Sequence, residues 1–396
     1  MGFRAKSSTL LLFFLSFFYF MPTFWDNIVF SFARNFLFIC AAGYIFKKQV
    51  KPDQFLTSIF IYYAVIHIIT ALNGHVYGSV IVMNVKACIY IWLLKGMLER
   101  DAKRTTNCLY CIFLFYCIVN FLSVVLLPEG IYITEQYIDM WNGSRTFGNW
   151  FFGNKNTQSC WFLILVLLSF VRASAYRKAK RLTLWLISII SVMNMILVGT
   201  STSAFVLVVA STALIILSRR KRMPYPDINS HIILAGYLVI EILLVFGMLT
   251  IIGPFVKSVF GKDLTFSGRA TAVWPKVLLT ISLNPIFGSG IISAEASAKL
   301  LANTSLVNAH NEVLQILWQG GVVLLTTVII VFHNVGNSIN SIVDKREKLA
   351  ISIFLLAYLV GTLFEVMSGG FVFLILIALL YYAPVSLSNH NRNIEE

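Results

Sequence analysis

Apolar runs separated by short polar connections follow one another along the whole chain. Most runs are about 20 residues long, which is enough for an α-helix to cross the hydrocarbon core of a bilayer. The pattern therefore predicts an all-α, polytopic integral membrane protein with about 12 transmembrane helices, forming a single transmembrane domain over residues 1–396. The predicted segments are 8–24, 28–46, 55–72, 76–98, 107–127, 157–171, 182–198, 204–218, 232–252, 311–332, 349–365 and 370–387.

Composition agrees with this class, because 58% of the 396 residues are hydrophobic and only 12% are charged. A net charge of +14 would suggest nucleic acid as a partner of a soluble protein. Here most of the 31 Lys and Arg residues fall in alternate connections, which marks those connections as cytoplasmic. The charge therefore predicts topology, with both termini inside, and no nucleic-acid partner. The six cysteines lie mostly in apolar runs and predict no disulfide framework.

Two of the predicted outer connections are long, at residues 128–156 and 253–310. Long loops among short ones are usually functional, and these are rich in aromatic residues, Gly, Arg and Asn. The chain shows no P-loop, no Rossmann glycine pattern and no His/Cys cluster at metal spacing. Its cytoplasmic connections are short and lack paired acids. We therefore expect chemistry on the outer face, with a substrate that is already activated and without a metal or cofactor.

Basic residues beside glycines in these loops suit a phosphate or diphosphate group. Arg145, Lys155 and Arg269 can bind its oxygens, and glycine lets backbone N–H groups approach. The alternative is that these residues contact lipid headgroups.

His310 connects the second long loop to the start of a predicted helix. An imidazole there can act as a general base near neutral pH. The alternative is a helix-capping segment, with Asn311 as the cap. Asn311, Gln315 and Gln319 recur every four residues, so they share a helix face that we expect to line a wet cavity beneath His310.

Among the charged residues inside predicted spans, Arg34 lies in the outer half of the second span, and Lys86 and Glu241 lie near the middle of the fourth and ninth, where charges are rare and mark interiors or water. A pair between Lys86 and Glu241 would give both a structural role. Arg34 has only Asp26 as an evident acidic partner at its depth. We therefore take Arg34 as a candidate for binding an anionic ligand from the outer leaflet.

Four motifs together resemble the bacterial polysaccharide polymerase (Wzy-type) and O-antigen ligase superfamily. The resemblance is specific over residues 145–159 and 267–321, and elsewhere only the pattern of hydropathy is similar. The motifs are Arg145, Gly148, Asn154 and Asn156; Ser267-Gly268-Arg269 with Trp274; Asn284-Pro285-Ile286-Phe287-Gly288-Ser289-Gly290; and His310, Asn311, Leu314, Gln315 and Gly320. One departure is Thr202, where relatives often carry a basic residue.

The resemblance implies a GT-C-like fold in the bacterial plasma membrane, with metal-independent glycosyl transfer on its outer face. Donor and acceptor would be undecaprenyl-diphosphate-linked oligosaccharides, and a flippase and a chain-length regulator would be possible partners. His310, Arg269 and Arg145 would be catalytic. Substrate would be bound by Arg34, Asn156, Asn311, Gln315 and Lys155.

Polymerisation of repeat units into O-antigen or capsule is the preferred function, and ligation to lipid A-core or protein is the first alternative. No residue separates these two. A transporter of lipid-linked saccharide or a small anion would also explain many helices and a polar cavity. A metal-dependent glycosyltransferase that uses Asp26 is the remaining alternative.

Overall fold

The protein was analysed as a computed structural model, which describes residues 7–139, 143–155, 158–175, 179–219, 224–246, 269–301, 308–367 and 371–387. These residues form a helical bundle with one β-hairpin at its end. Its elements are α1 (Ser7–Tyr19), α2 (Ile28–Lys47), α3 (Gln54–Leu72), α4 (Gly78–Leu126), β1 (Tyr132–Asp139), β2 (Gly143–Asn149), α5 (Ser159–Ala175), α6 (Ala179–Leu197), α7 (Ser201–Arg219), α8 (Ser230–Phe246), α9 (Trp274–Leu283), α10 (Ala294–Leu301), α11 (Glu312–Asn340), α12 (Lys345–Thr362) and α13 (Phe371–Tyr381).

The all-α membrane class is confirmed, because four helices in the described part of the chain are long and apolar enough to cross a membrane. They are α2, α3, α4 and α11. The remaining apolar helices are shorter or less apolar, so the count of about 12 spans stays a prediction. Helix α4 joins two predicted segments, 76–98 and 107–127, across a break at Asp101 (φ −158°, ψ 75°).

The centre of the bundle is made by α5 and α13, which pack against each other. Every residue from Cys160 to Val171 in α5 is buried, as is every residue from Val372 to Leu380 in α13. Helices that are apolar all round are expected in such a position, since no face needs to meet water. The other helices surround this pair and expose apolar side chains outward. On α2, for example, Ile28 and Phe32 are 86% and 74% exposed.

The predicted outer loop 128–156 is not a plain loop, since β1 and β2 form an antiparallel hairpin within it. The strand register is broken by an irregularity between Thr134 and Tyr137. The predicted loop 253–310 likewise contains α9 and α10. Its residues 253–268 and 302–307 lie outside the described chain. The described residues of both connections therefore contain regular secondary structure.

Three buried amides hold the hairpin segment to the bundle. Asn120 and Asn194 each donate to Gln158 Oε1, at 2.9 and 2.8 Å, and Asn120 also donates to Asn194 at 3.1 Å. Asn120 Oδ1 then accepts from the backbone N–H of Phe152 at 2.9 Å. We call Asn120, Gln158 and Asn194 the amide network. Because it joins α4, α6 and the start of α5, it fixes the point at which the hairpin segment enters the bundle.

Candidate functional site

The start of α11 is fixed by Asn311, which is fully buried. Its Oδ1 accepts from the backbone N–H of Leu314 at 2.8 Å, the usual geometry of an N-cap. Its amide nitrogen donates to the carboxylate of Glu241 on α8 and to the carbonyl of Leu363 at 3.1 Å. The amide is therefore used within the protein. This geometry favours the capping alternative over the predicted contact of Asn311 with substrate.

His310 precedes this cap with a left-handed backbone, φ +49°. In the described chain only one other non-glycine residue, Gln49, has a positive φ. Such a conformation costs of order 1–3 kcal/mol and is found where the surroundings impose it, often at functional sites. The backbone N–H of His310 donates to Asn308 Oδ1 at 2.9 Å.

The His310 ring meets a carboxylate that the sequence analysis did not single out. Its Nδ1 lies 3.3 Å from Oε2 of Glu365, which follows the end of α12. The two side chains are 16% and 20% exposed. When Nδ1 carries the proton and donates to Glu365, Nε2 keeps its lone pair. The pair then has the arrangement of a general base oriented by an acid.

Two further carboxylates lie at the same helix start. Glu312 is buried, and its Oε2 accepts from the backbone N–H of Met367 at 2.6 Å. Glu241 is 2% exposed, and its Oε2 has no hydrogen-bond partner among the described residues. The partial positive charge of a helix N-terminus stabilises negative groups placed there. An acid at membrane depth is a signal for function, and it could have drawn attention to Glu365, as it did to Glu241.

The predicted pair between Lys86 and Glu241 is wrong. Glu241 binds Asn311, whereas Lys86 donates to Asn35 on α2 at 2.6 Å. Similar depth in the membrane does not place two helices side by side, and here α8 packs against α11 whereas α4 packs against α2.

Two amides of the α11 face that was expected to line a wet cavity beneath His310, Asn311 and Gln315, are buried and hydrogen-bonded within the protein. Gln315 is buried, and its Oε1 accepts from the backbone N–H of Ala309 at 2.8 Å, which closes the turn that carries His310. Gln315 thus supports the site from within the protein. A cavity of about 220 Å³ lies instead beside Glu312, between α8, α11 and α12, and its walls are mostly apolar.

The Asn-Pro-Ile-Phe-Gly-Ser-Gly segment docks against a break in α11 at Gly321 (φ +58°, ψ −158°). The N–H groups of Val322 and Val323 donate to the carbonyls of Pro285 and Ile286, at 2.9 and 3.2 Å. On the other side of the break, the Trp318 carbonyl accepts from the backbone N–H of Ser289, and the Gln319 carbonyl accepts from the backbone N–H of Gly290, both at 2.8 Å. Broken helices persist in membranes only where their freed backbone groups find such partners. The segment therefore supplies the hydrogen bonds that the break removes.

Close packing explains the glycines of this junction. A Cβ on Gly288 would lie 2.6 Å from the backbone nitrogen of Gly320, and a Cβ on Gly321 would clash with the carbonyl of Ile286. Both positions also have positive φ, which favours glycine. The break lies about three turns below His310, so the junction anchors the half-helix that carries it.

Arg269 is brought to the site by its backbone. It begins a π-helical turn, Arg269–Val273, that leads into α9, and the Trp274 indole donates to the carbonyl of Ala309 at 3.1 Å. The segment therefore reaches the turn that holds His310. Ala270 packs on the same apolar cluster as Leu363. The side chain of Arg269 is outside the described part of the chain.

The first outer loop approaches by another route. Arg145 lies in β2 with its backbone opposite Tyr137, and its side chain is not described. Lys155 follows the hairpin, and Asn156 lies outside the described residues. At the start of α5, Cys160 Sγ is 3.8 Å from the sulfur of Met367, whose N–H binds Glu312. The segment after the hairpin thus ends beside the start of α11.

Arg34 lies in a different place, on α2. Its guanidinium forms an ion pair with Asp26 at 2.7 Å, the one acidic partner expected from the sequence. Asp26 is thereby paired with a cation in this structure.

Comparison with known families gives one match. Residues 186–329, which include α7, α8, Arg269, His310 and the break in α11, match the family model described as O-antigen ligase. The match covers about a third of the chain and confirms the resemblance to the O-antigen ligase and polymerase superfamily. No curated protein matches the chain.

Proposed function

We propose that this chain polymerises undecaprenyl-diphosphate-linked oligosaccharide repeat units by metal-independent glycosyl transfer. The family match over residues 186–329 supports a membrane enzyme of the ligase or polymerase type acting on lipid-linked saccharides. The observation that carries the mechanism is the 3.3 Å contact between His310 Nδ1 and Glu365 Oε2 at the start of α11. We place the site on the outer face of the plasma membrane, with both termini in the cytoplasm.

In this proposal His310 is the general base and Glu365 positions it. Glu365 accepts the hydrogen bond from Nδ1–H, so Nε2 takes the proton of the acceptor hydroxyl. The hydroxyl oxygen forms a bond to the anomeric carbon of the donor as the bond from that carbon to the diphosphate oxygen breaks. The electron pair leaves with the lipid diphosphate, and Glu365 stabilises the imidazolium that forms.

The developing charge on the diphosphate needs compensation, which we assign to Arg145 and Arg269. Positioned cations at a leaving group can lower the barrier by several kcal/mol, of order 2–4 for one good donor. Lys155 and Asn156 complete the substrate contacts in this proposal.

Polymerisation and ligation differ in the acceptor, which is a second lipid-linked repeat unit in one case and lipid A-core or a protein in the other. We put polymerisation first. The assay is transfer by the purified full chain on lipid-linked repeat units, with products separated by gel electrophoresis. A ladder of chain lengths supports polymerisation, and single transfer to an added lipid A-core acceptor supports ligation.

The decisive variant is His310→Ala, which should lower the rate about 10²–10⁴-fold, the usual contribution of a general base. His75→Ala is the matched control, because His75 is exposed in the turn between α3 and α4. Activity that survives in His310→Ala but is lost with a chelator and in Asp26→Asn would favour the metal-dependent alternative. Lipid-linked repeats that stay on the cytoplasmic side in cells carrying His310→Ala would favour a transporter.

A further inference from the structure

Polar groups interrupt the otherwise apolar outer surface of α2 and α4. Helix α2 is the least buried of the four candidate spans, with 17% of its apolar window buried. Arg34 is the seventh residue of α2 and Lys86 the ninth of α4. At 1.5 Å per residue they lie about 9 and 12 Å from the starts of their helices. Both cations are thus attached well inside the span.

The contacts form two pairs that meet at the neighbouring residues Arg34 and Asn35 on α2. The Arg34 guanidinium reaches back along α2 to Asp26, which precedes the helix, at 2.7 Å. Lys86 donates to Asn35 Oδ1 at 2.6 Å and lies 5.9 Å from the ring centre of Phe38. Lys86 also interacts electrostatically with both Arg34 and Asp26. We call Asp26, Arg34, Asn35 and Lys86 the α2–α4 cation site.

The cluster is accessible and carries an uncompensated charge. Arg34 and Asp26 are 19% and 30% exposed, and Asn35 is exposed. Two cations and one carboxylate leave a net charge of +1. A charge facing hydrocarbon costs several kcal/mol, and long cationic side chains reduce this by reaching toward the headgroups. Because Arg34 already reaches the level of Asp26, the cluster lies where a headgroup phosphate can meet it.

We propose that the α2–α4 cation site binds the phosphate of a membrane lipid. The guanidinium and ammonium groups supply charged donors, the free amide nitrogen of Asn35 can supply a neutral one, and Asp26 limits the net attraction. The phosphate can belong to an anionic glycerophospholipid or to a polyprenyl diphosphate. Binding of a glycerophospholipid is independent of glycosyl transfer, whereas binding of a polyprenyl diphosphate rests on the proposed function. Because the test measures binding and its variants leave His310 and Glu365 intact, failure of this proposal is distinguishable from failure of the proposed function.

The experiment measures lipid binding to the purified, delipidated full chain in detergent, from the rise in thermal unfolding temperature with ligand concentration. The probes are dioleoyl phosphatidylglycerol, dioleoylglycerol without phosphate, farnesyl diphosphate and inorganic phosphate. Phosphatidylglycerol or farnesyl diphosphate should stabilise the wild-type chain. Dioleoylglycerol and inorganic phosphate should not do so at the same concentrations.

Three variants make the proposal quantitative. Lys86→Met should weaken binding about five-fold, and Asp26→Asn should strengthen it about five-fold, which corresponds to about 1 kcal/mol per charge. Lys51→Met is the control and should leave binding unchanged, since Lys51 is exposed between α2 and α3, beyond the end of α2 that lies opposite Asp26 and Arg34. Retention of elution volume in gel filtration shows that each variant is folded.

The outcomes separate the sources of the phosphate. Stabilisation by phosphatidylglycerol alone identifies a phospholipid site, and stabilisation by farnesyl diphosphate alone identifies a site for the carrier lipid. Equal binding in wild type, Lys86→Met and Asp26→Asn overturns the proposal, as does a full effect of inorganic phosphate or of dioleoylglycerol. Loss of transferase activity in His310→Ala does not bear on it.

Discussion

Replacing Gly321 by Ala tests the junction between the broken helix α11 and the segment 285–290. The backbone at Gly321, with φ +58° and ψ −158°, lies in a region that only glycine adopts readily. A methyl group there would also clash with the carbonyl oxygen of Ile286. To relieve the clash, the segment must move away from α11. The N–H groups of Val322 and Val323 would then lose the carbonyls of Pro285 and Ile286.

The cost can be worked from these terms. Backbone strain contributes about 1–3 kcal/mol, and each of the two buried hydrogen bonds contributes about 1 kcal/mol. We therefore expect Gly321→Ala to destabilise the fold by about 3–5 kcal/mol. Gly236→Ala on α8 is the matched control, because a Cβ at Gly236 would meet no atom within 4 Å. In a helix interior that change is expected to be neutral or to stabilise by up to about 1 kcal/mol.

The assay is unfolding of the purified chain in mixed micelles with increasing sodium dodecyl sulfate, followed by tryptophan fluorescence. Gly321→Ala should unfold at a lower mole fraction of the denaturing detergent than wild type and Gly236→Ala. Its transferase activity should fall as well, since the junction anchors the half-helix that carries His310. If Gly321→Ala unfolds with the wild-type midpoint and keeps full activity, the reasoning about the docked segment is refuted.

Three further predictions concern other contacts. Glu365→Gln should lower kcat in the transfer assay, though by less than His310→Ala does, while the KM for the donor changes little. An unchanged kcat would show that Glu365 plays no part in the reaction. Asn194→Leu should destabilise the fold by about 2–3 kcal/mol, because it leaves the amide network with unpaired buried groups; detergent unfolding would measure this, and a wild-type midpoint would contradict it. The hydrogen bond and the charge of Lys348 lower the pKa of the Asp227 carboxyl group. The pair therefore stabilises the fold at pH values above the ordinary carboxyl pKa. This stabilisation is lost as the pH falls through the lowered pKa of Asp227. Lys348→Met should therefore unfold more easily than wild type at neutral pH and equally easily in strong acid, and a difference that persists in acid would count against this assignment.

The apolar periodicity predicted the helical membrane class well, because burial in hydrocarbon requires long apolar segments whatever their neighbours are. It did not predict the break in α11, since the neighbouring glycines 320 and 321 fall within an apolar run that reads as one helix. Only the docking of residues 285–290, which are distant in sequence, makes that break stable. The hairpin was missed because β1 and β2 lie in a polar connection between two apolar runs, and the whole connection was interpreted as loop.

The candidate site was predicted in part. His310 was identified because a single histidine at the junction of a loop and a helix is a local pattern. Glu365 was not identified, because its contact with His310 joins residues 55 positions apart and depends on how α12 packs against α11. The pairing of Lys86 with Glu241 failed for the same reason, since depth along a span carries no information on which helices are neighbours. Local patterns thus pointed to His310, and tertiary packing places Glu365 beside it.

The central position of α13 has a consequence for how the molecule is made. Translation proceeds from the N-terminus, so the helices that surround α13 emerge from the ribosome before it does. Until residues 371–381 are inserted, α5 lacks one of the helices that bury it. We therefore expect that side of α5 to be covered by lipid or by the insertion machinery until α13 arrives.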